Sequence, residues 1–430
     1  MFLGLYRHVE RYYLINRSLN QRGIDMINKN SKDGISNKLN ALSDNIEYFL
    51  NNNLYFYDQP LTELKGGSKV IINGREMSMF ASYSYLGLLG HPRINQAAKA
   101  AIDRYGTGTH GVRLLAGTLD LHKELEETIA EFKNTEAAIT FTSGYVTNST
   151  VIAALTGAGD YVFSDTLNHA SIVDGCRLSK AALVRFNHND MDHLEKCLAG
   201  APTGSTRLVI ADAVFSMEGD IVDLPRLAEL CRTYEAWLMI DEAHSVGVLG
   251  KTGRGIEEHF GMDGAIDIKM GTLSKTIPAT GGYIAGRKDL VFFLRHFCRG
   301  YIYSAALPPS QAAAAKEAFK LIIDEPWRVE KLNENSTRFI SGLKQRGFNT
   351  LNTETAIVPI ICGSNEKSLM LTREVQKHGV FVLPVVSNAG AVPEGLSRLR
   401  TTVTAAHDAR DIDYAMDILY KAGKATGILG

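Results

Sequence analysis

From Ala137 to Ile240 short apolar runs alternate with stretches of helical periodicity, and this alternation restricts the fold more than any other feature of the chain. The runs are Ala137–Phe141, Tyr161–Phe163, Ala182–Val184, Leu208–Ile210 and Leu238–Ile240, with helix-like stretches such as Asp192–Leu198 and Leu224–Tyr234 between them. Strands that are apolar throughout need cover on both faces, and a helix between each pair supplies it. The expectation is an α/β fold with a large, mostly parallel sheet and helices on both sides. Upstream, Val70-Ile71-Ile72 followed by Asn73-Gly74 predicts a strand and a hairpin turn, and Leu121–Phe132 predicts a helix. After Pro308-Pro309 the stretch Ser310–Ile323 predicts a long helix, and Thr355–Gly430 reads as a smaller α+β domain. Residues 1–53 are Asn-rich and predict one or two short helices and a linker. The organisation is therefore an extension and linker over 1–60, a large domain over 61–320 and a small domain over 321–430.

Several functions are disfavoured at once. Lys+Arg 46 against Asp+Glu 47 leaves a net charge of -1, so no global field favours nucleic acid or an anionic membrane. Five scattered cysteines without a Cys-x-x-Cys pair indicate neither a disulfide framework nor a zinc knuckle, and no metal site is expected. Arg7, His8, Glu10 and Arg11 break up the start, so no signal peptide is expected there. Ala137–Gly159 carries Ser143, Gly144, Asn148 and Ser149, too many interruptions for a transmembrane span, and a cytoplasmic protein is expected. Gly106-Thr107-Gly108-Thr109-His110-Gly111 matches a dinucleotide fingerprint in letters but follows a helical stretch, which removes its mechanism. Gly250-Lys251-Thr252 looks like the end of a P-loop whose first glycine is replaced by Ser245. His188 and His193, beside Asp190 and Asp192, read as a solvated turn.

The chemistry concentrates elsewhere. Asp241-Glu242-Ala243-His244 directly follows a strand, at the carboxyl end where α/β sheets bind ligands. Thirty-four positions on, Gly271-Thr272-Leu273-Ser274-Lys275 follows another apolar run. An aspartate at one strand end and a lysine at another suit pyridoxal phosphate (PLP), the one keeping the pyridine nitrogen protonated and the other forming a Schiff base. A buried ion pair is the competing reading. Ser143-Gly144-Tyr145 opens a helix after Ala137–Phe141, where backbone N–H groups bind phosphate or Ser143 simply caps the helix. His169 follows the strand Tyr161–Phe163, where a hydrogen-bonded core histidine is the competing reading.

Five ordered runs carry a family resemblance: Thr142–Tyr145, Asp165–Ser171, Val214–Asp220, Asp241–Ser245 and Gly271–Lys275. From about Tyr55 onward the chain resembles the α-oxoamine synthases, PLP enzymes of fold type I, and its local motifs look most like serine palmitoyltransferase. The resemblance implies Lys275 as Schiff-base lysine, Asp241 as pyridinium partner and His169 as the ring stacked on the cofactor. It implies Ser216 and His244 near the phenolic oxygen, and Ser143, Gly144, Tyr145 and Thr272 at the phosphate. Tyr303–Pro309 resembles a stretch that reaches the phosphate of a neighbouring subunit, with Ser304 keeping its hydroxyl, so a homodimer with shared sites is implied. In Ser397-Arg398-Leu399-Arg400 the resemblance points to Arg398 for the substrate carboxylate, and Tyr83 stands where relatives using glycine or alanine commonly carry Asn.

The implied reaction is decarboxylative condensation of an L-amino acid, serine before alanine or glycine, with an acyl thioester, either acyl-CoA or on an acyl carrier protein. Arg7, Arg11, Arg17 and Arg22 in the extension suit an acidic carrier. An 8-amino-7-oxononanoate synthase-like activity is the alternative within the family. An aminotransferase or aldolase, or a non-catalytic partner subunit, is the alternative outside it.

Overall fold

A computed structural model describes residues 34–202, 204–387 and 392–430. The basic positions of the extension before residue 34 lie outside the described residues. Two compact units divide the chain between Gln59 and Pro60. The first contains the helix Gly34–Asn51 and an edge-to-face pair, Tyr55 and Tyr57, with ring centroids 5.6 Å apart.

The second unit, residues 60–430, is built on three sheets. Its strands are β1 (Leu61–Lys65), β2 (Lys69–Ile72), β3 (Arg75–Met79), β4 (Ala137–Phe141), β5 (Tyr161–Asp165), β6 (Ala182–Phe186) and β7 (Arg207–Asp212). They continue with β8 (Trp237–Asp241), β9 (Ile268–Ser274), β10 (Pro278–Gly286), β11 (Ile357–Gly363), β12 (Val380–Phe381), β13 (Leu383–Val385) and β14 (Ser397–Thr402). The hairpin expected at Asn73-Gly74 joins β2 to β3, with both residues at positive φ (51° and 75°), as a tight two-residue turn requires.

The central sheet has the order β4-β10-β9-β8-β7-β5-β6. All neighbours pair in parallel except β10, which runs antiparallel to both β4 and β9. Alternate side chains enter two separate cores. Val162, Leu208, Ile210, Met239 and Met270 pack beneath the helices Gly144–Leu155, Ala170–Ser179 and Lys288–Phe297. Phe163, Val209, Ala211, Leu238 and Ile240 face the opposite way, with the helices Asp120–Phe132, Leu224–Thr233 and Pro309–Asp324. Both faces are thus covered, as the apolar runs require. Gly106 caps the helix Pro92–Tyr105, so no strand precedes the false dinucleotide fingerprint.

Two smaller sheets complete the unit. In one, β1, β2 and β3 pair antiparallel and β12 lies parallel to β3. From β3 the chain runs through Phe80, Tyr85, Leu86 and Leu88, all with no exposed surface. The other sheet, β11-β14-β13, is antiparallel, and its middle strand carries Arg398 and Arg400. Among the described residues no helix is long and apolar enough to cross a membrane.

His188 departs from the solvated turn expected for it. Its Nδ1 lies 3.2 Å from Asp165 Oδ1 and its Nε2 2.8 Å from Asp220 Oδ2, and its ring meets Phe215 edge-on at 4.3 Å. Burial alone would lower its pKa, but the two carboxylates outweigh burial and raise it to about 10. A pKa raised from 6.5 in the unfolded chain stabilises fully below pH 6.5, and the stabilisation is lost as pH rises through about 10. His188→Gln should therefore cost about 2 kcal/mol at pH 6. The gap from wild type in urea unfolding should narrow steadily toward pH 10. A gap independent of pH would show that His188 is not held as a cation.

Candidate active site

The parallel strands deliver their carboxyl ends to one crevice. Asp241 ends β8 and lies 5% exposed, its Oδ2 accepting from Asn148 Nδ2 at 2.7 Å and its Oδ1 from the Ala243 amide at 2.9 Å. Asp212 ends β7 in register beside it and is also buried. Burial first, then the charge of Asp241, pushes the Asp212 carboxyl well above the usual range. Of the two carboxylates, Asp241 is the one that accepts two N–H donors, and Asp212 is the one driven toward the acid form.

Lys275 follows β9 directly, in the short connection to β10. Its neighbours Thr276 and Ile277 are buried, and the Thr276 hydroxyl donates to the Val246 carbonyl at 2.7 Å, so the backbone under the lysine is fixed. Nζ lies 2.7 Å from His244 Nε2 and 5.8 Å from the centre of the Tyr83 ring. Burial, opposed by Asp241 and Asp212 and reinforced by Arg400, brings the amine down to about 8.

The exposed ring of His169 stands at the start of the helix Ala170–Ser179, with Nδ1 held 2.7 Å from Ser171 Oγ. Ser143 caps the helix Gly144–Leu155, its hydroxyl oxygen accepting from the Val146 amide at 3.1 Å. The cap leaves the first amides of that helix able to meet an anion. Gly144 packs so tightly against β9 that a Cβ there would lie 3.1 Å from Thr272 Oγ1, and a Cβ on Gly282 would come within 2.8 Å of Gly144 Cα. Thr272 Oγ1 is 2.9 Å from Ser274 Oγ, which places two hydroxyls beside that helix start. Tyr145, half exposed, is bound through its phenol to Asp174. Ser216 contributes its carbonyl, 2.6 Å from Arg400 Nε. Ser304 lies in a pocket with Thr142 and Arg113, one residue from the Ser143 cap.

The two arginines part company. Arg398 is 1% exposed and donates to the Leu396 and Met217 carbonyls and, at 3.0 Å, to Glu218 Oε1. Its guanidinium is committed inside the protein. Arg400 stands instead with Cζ 4.7 Å from the centre of the Tyr83 ring and Nη2 3.4 Å from Tyr85 Oη. The structure thus brings Arg400, not Arg398, beside Lys275, reversing the expectation from the Ser397–Arg400 motif.

PLP fits this constellation. The Gly144–Thr272 cradle has room only for backbone and hydroxyls, Asp241 presents a fixed anion, and the lysine is held near neutrality. Asn148 Oδ1 and Asp212 Oδ1 are buried without a partner among the described residues. Asp212, Asn148, Tyr85 and Arg400 were not singled out in advance. For Asp212 the available signal was its position at the end of a strand, the same rule that selects Asp241.

The family model for aminotransferase class I and II matches residues 75–419. The chain is 44% identical to 8-amino-7-oxononanoate synthase of Geobacter sulfurreducens over 365 residues, 84% of this chain and 93% of the relative. It is 40% identical to serine palmitoyltransferase of Sphingobacterium spiritivorum over 383 residues, 89% of this chain and 95% of the relative. The serine palmitoyltransferase structure from Sphingomonas wittichii superposes with a TM-score of 0.89 at 33% identity, covering 93% of this chain and all of that one. That of S. paucimobilis, with PLP and myriocin bound, does so with 0.89 at 32% and the same coverage. The chain belongs to the α-oxoamine synthases, PLP-dependent acyltransferases of fold type I within the class I and II aminotransferase family.

Because Arg398 is paired with a largely buried Glu218, Arg398→Met should cost on the order of 3 kcal/mol in urea unfolding, the penalty of stranding a buried charge. A loss under about 1 kcal/mol would contradict the structural role given to the pair.

Proposed function

We propose that Lys275 is the attachment lysine and general base of a condensation between L-serine and an acyl thioester, releasing the serine carboxylate as carbon dioxide. The observation that carries this reading is the Lys275 amine held at about 8 between the Asp241 carboxylate and the Arg400 guanidinium. Bound at the site, PLP supplies a protonated ring that takes up the electron pair of a bond broken at the substrate's Cα.

The protein's own groups do the rest. An amine at about 8 is roughly one-quarter neutral at pH 7.5, which supplies a nucleophile and then a base. Asp241, held by two N–H donors at the end of β8, faces the ring nitrogen, while Asp212 beside it is driven toward the acid form. His169 offers an exposed ring face for stacking, and the amides after Ser143, with Thr272, suit the phosphate. Arg400 holds the substrate carboxylate, which fixes which Cα bond lies across the ring. Ser216 O and the Tyr83 ring in turn fix the guanidinium. The hydroxyl of Ser304 and the exposed Tyr303 beside it support a homodimer in which this stretch meets a neighbouring site.

Serine is favoured by Tyr83 and by the likeness to serine palmitoyltransferases across 93% of the chain. A second reading, 8-amino-7-oxononanoate synthase-like chemistry with alanine, is favoured by the relatives of that name at 41–44% identity. Carboxyl-labelled serine, alanine and glycine, each offered with acyl-CoA thioesters of several lengths and with carrier-bound acyl groups, decide between them. The expected outcome is labelled carbon dioxide and an α-amino ketone with serine above the others. Release from alanine alone would establish the second reading, and transamination without carbon dioxide would remove both. Lys275→Ala should retain the fold, lose the yellow lysine-bound cofactor band and lower turnover by at least about a thousandfold. A yellow band surviving in that variant would place the cofactor on another lysine.

A further inference from the structure

One connection in the crevice has no part in the roles above. His244, 6% exposed, has both ring nitrogens engaged: Nε2 lies 2.7 Å from Lys275 Nζ and Nδ1 2.6 Å from Tyr85 Oη. Tyr85 is fully buried, and beyond it stands Arg400 Nη2 at 3.4 Å. A guanidinium has only donors, so the phenol oxygen accepts from it; with the phenol hydrogen placed on His244 Nδ1, every contact along the chain pairs one donor with one acceptor. A neutral imidazole that accepts at Nδ1 carries its own hydrogen on Nε2. That hydrogen points at the lysine nitrogen. Only an unprotonated amine can accept it, because an ammonium at the same distance would set two donors face to face.

We propose that Tyr85 is a positioning residue for Lys275, fixing through His244 the imidazole tautomer that disfavours the ammonium form and keeps the amine reactive. The inference rests on Lys275 being the reacting lysine. Burial holds the Tyr85 phenol at about 12, so it remains a donor, and burial, then Lys275 and Arg400, hold His244 well below its ordinary value, so it remains neutral. The other charged groups around Nζ are Asp241 and Asp212 from the ends of β8 and β7, Arg400 from β14 and His169 from the start of its helix. Asp241 favours the ammonium most, and Asp212 less, as it is itself driven toward the acid form. The directed hydrogen from His244 opposes them with a geometry that a diffuse charge does not have.

The test follows the rate at which the cofactor-free full-length protein captures PLP, read by absorbance across pH. Borohydride reduction and peptide mapping then identify the modified lysine. Wild type should reach half its limiting rate near pH 8. Tyr85→Phe frees the imidazole to turn its acceptor toward the lysine, so the midpoint should rise by about one unit and capture at pH 7 should slow roughly tenfold. The plateau at high pH should stay the same. His244→Gln should shift the midpoint as well, and Tyr85→Phe added to it should shift it no further, since Tyr85 acts through His244. A lowered plateau with an unmoved midpoint, or additive shifts in the double variant, would overturn the proposal. In unmutated protein, ¹⁵N NMR of His244 gives a reading that no folding defect confounds: hydrogen on Nε2 supports the relay, and hydrogen on Nδ1 overturns it. Modification mapped to another lysine would instead refute the attachment role of Lys275. Modification at Lys275 with an unmoved midpoint would remove only the relay.

Discussion

One amine and two carboxylates share a crevice from which water is largely excluded, and the surrounding architecture settles which of them carries charge. In water all three would ionise. Here the two aspartates stand side by side in register at the ends of β7 and β8, too close and too buried to be negative together. Asn148 and the Ala243 amide both donate to Asp241, while Asp212 has an oxygen with no partner among the described residues and is driven toward the acid form. Lys275 answers the same low-dielectric surroundings by giving up its proton more readily. The result is one carboxylate fixed by two donors for the ring nitrogen and an amine that deprotonates far more readily than a free lysine, within the same crevice.

The fold makes that pattern possible because parallel strands put their carboxyl ends on a single edge. Each chemical group there is fastened from behind. Lys275 is followed by the buried Thr276, which is tied to Val246, and the start of the phosphate-facing helix is pressed onto β9 at Gly144. Arg400 comes from a different sheet, yet its guanidinium is oriented by the Ser216 carbonyl and the Tyr83 ring. Immobilised groups of this kind need little reorganisation when a reaction builds charge among them. In an acyltransferase of this class the economy matters most at Cα, where one of several bonds has to be selected.

The amino-acid sequence made the sheet and the strand-end residues legible because their signals are local. An apolar run closed by Asp241 or Lys275 announces both a strand and what stands at its end. Asp212 obeys the same rule but is followed by the apolar Ala213 and Val214, with no second polar group to draw attention to it. Arg398 and Arg400 lie two residues apart on one strand and therefore share a face. What separates them is Glu218, some 180 positions earlier in the chain, a contact that no local pattern encodes. Tyr83 and Tyr85 pose the same difficulty. Within Ser-Tyr-Ser-Tyr they look interchangeable, yet one is half exposed over the crevice and the other fully buried behind His244. His188 failed as a solvated turn because its two carboxylates come from separate strand ends and loops. Pairings set by tertiary structure stayed hidden, whereas residues placed by the strand period did not.

The central claim is that Asp241, and not its neighbour, keeps a full negative charge facing the cofactor's ring. It is tested most directly by ¹⁵N NMR of the protein loaded with PLP labelled at the pyridine nitrogen. The account predicts a protonated nitrogen, with a chemical shift in the pyridinium range that persists to at least pH 8. It also predicts that Asp212→Asn leaves this signal in place while Asp241→Asn moves it to the unprotonated range. An unprotonated ring nitrogen in the wild-type protein, or one that depends on Asp212 instead of Asp241, would contradict it.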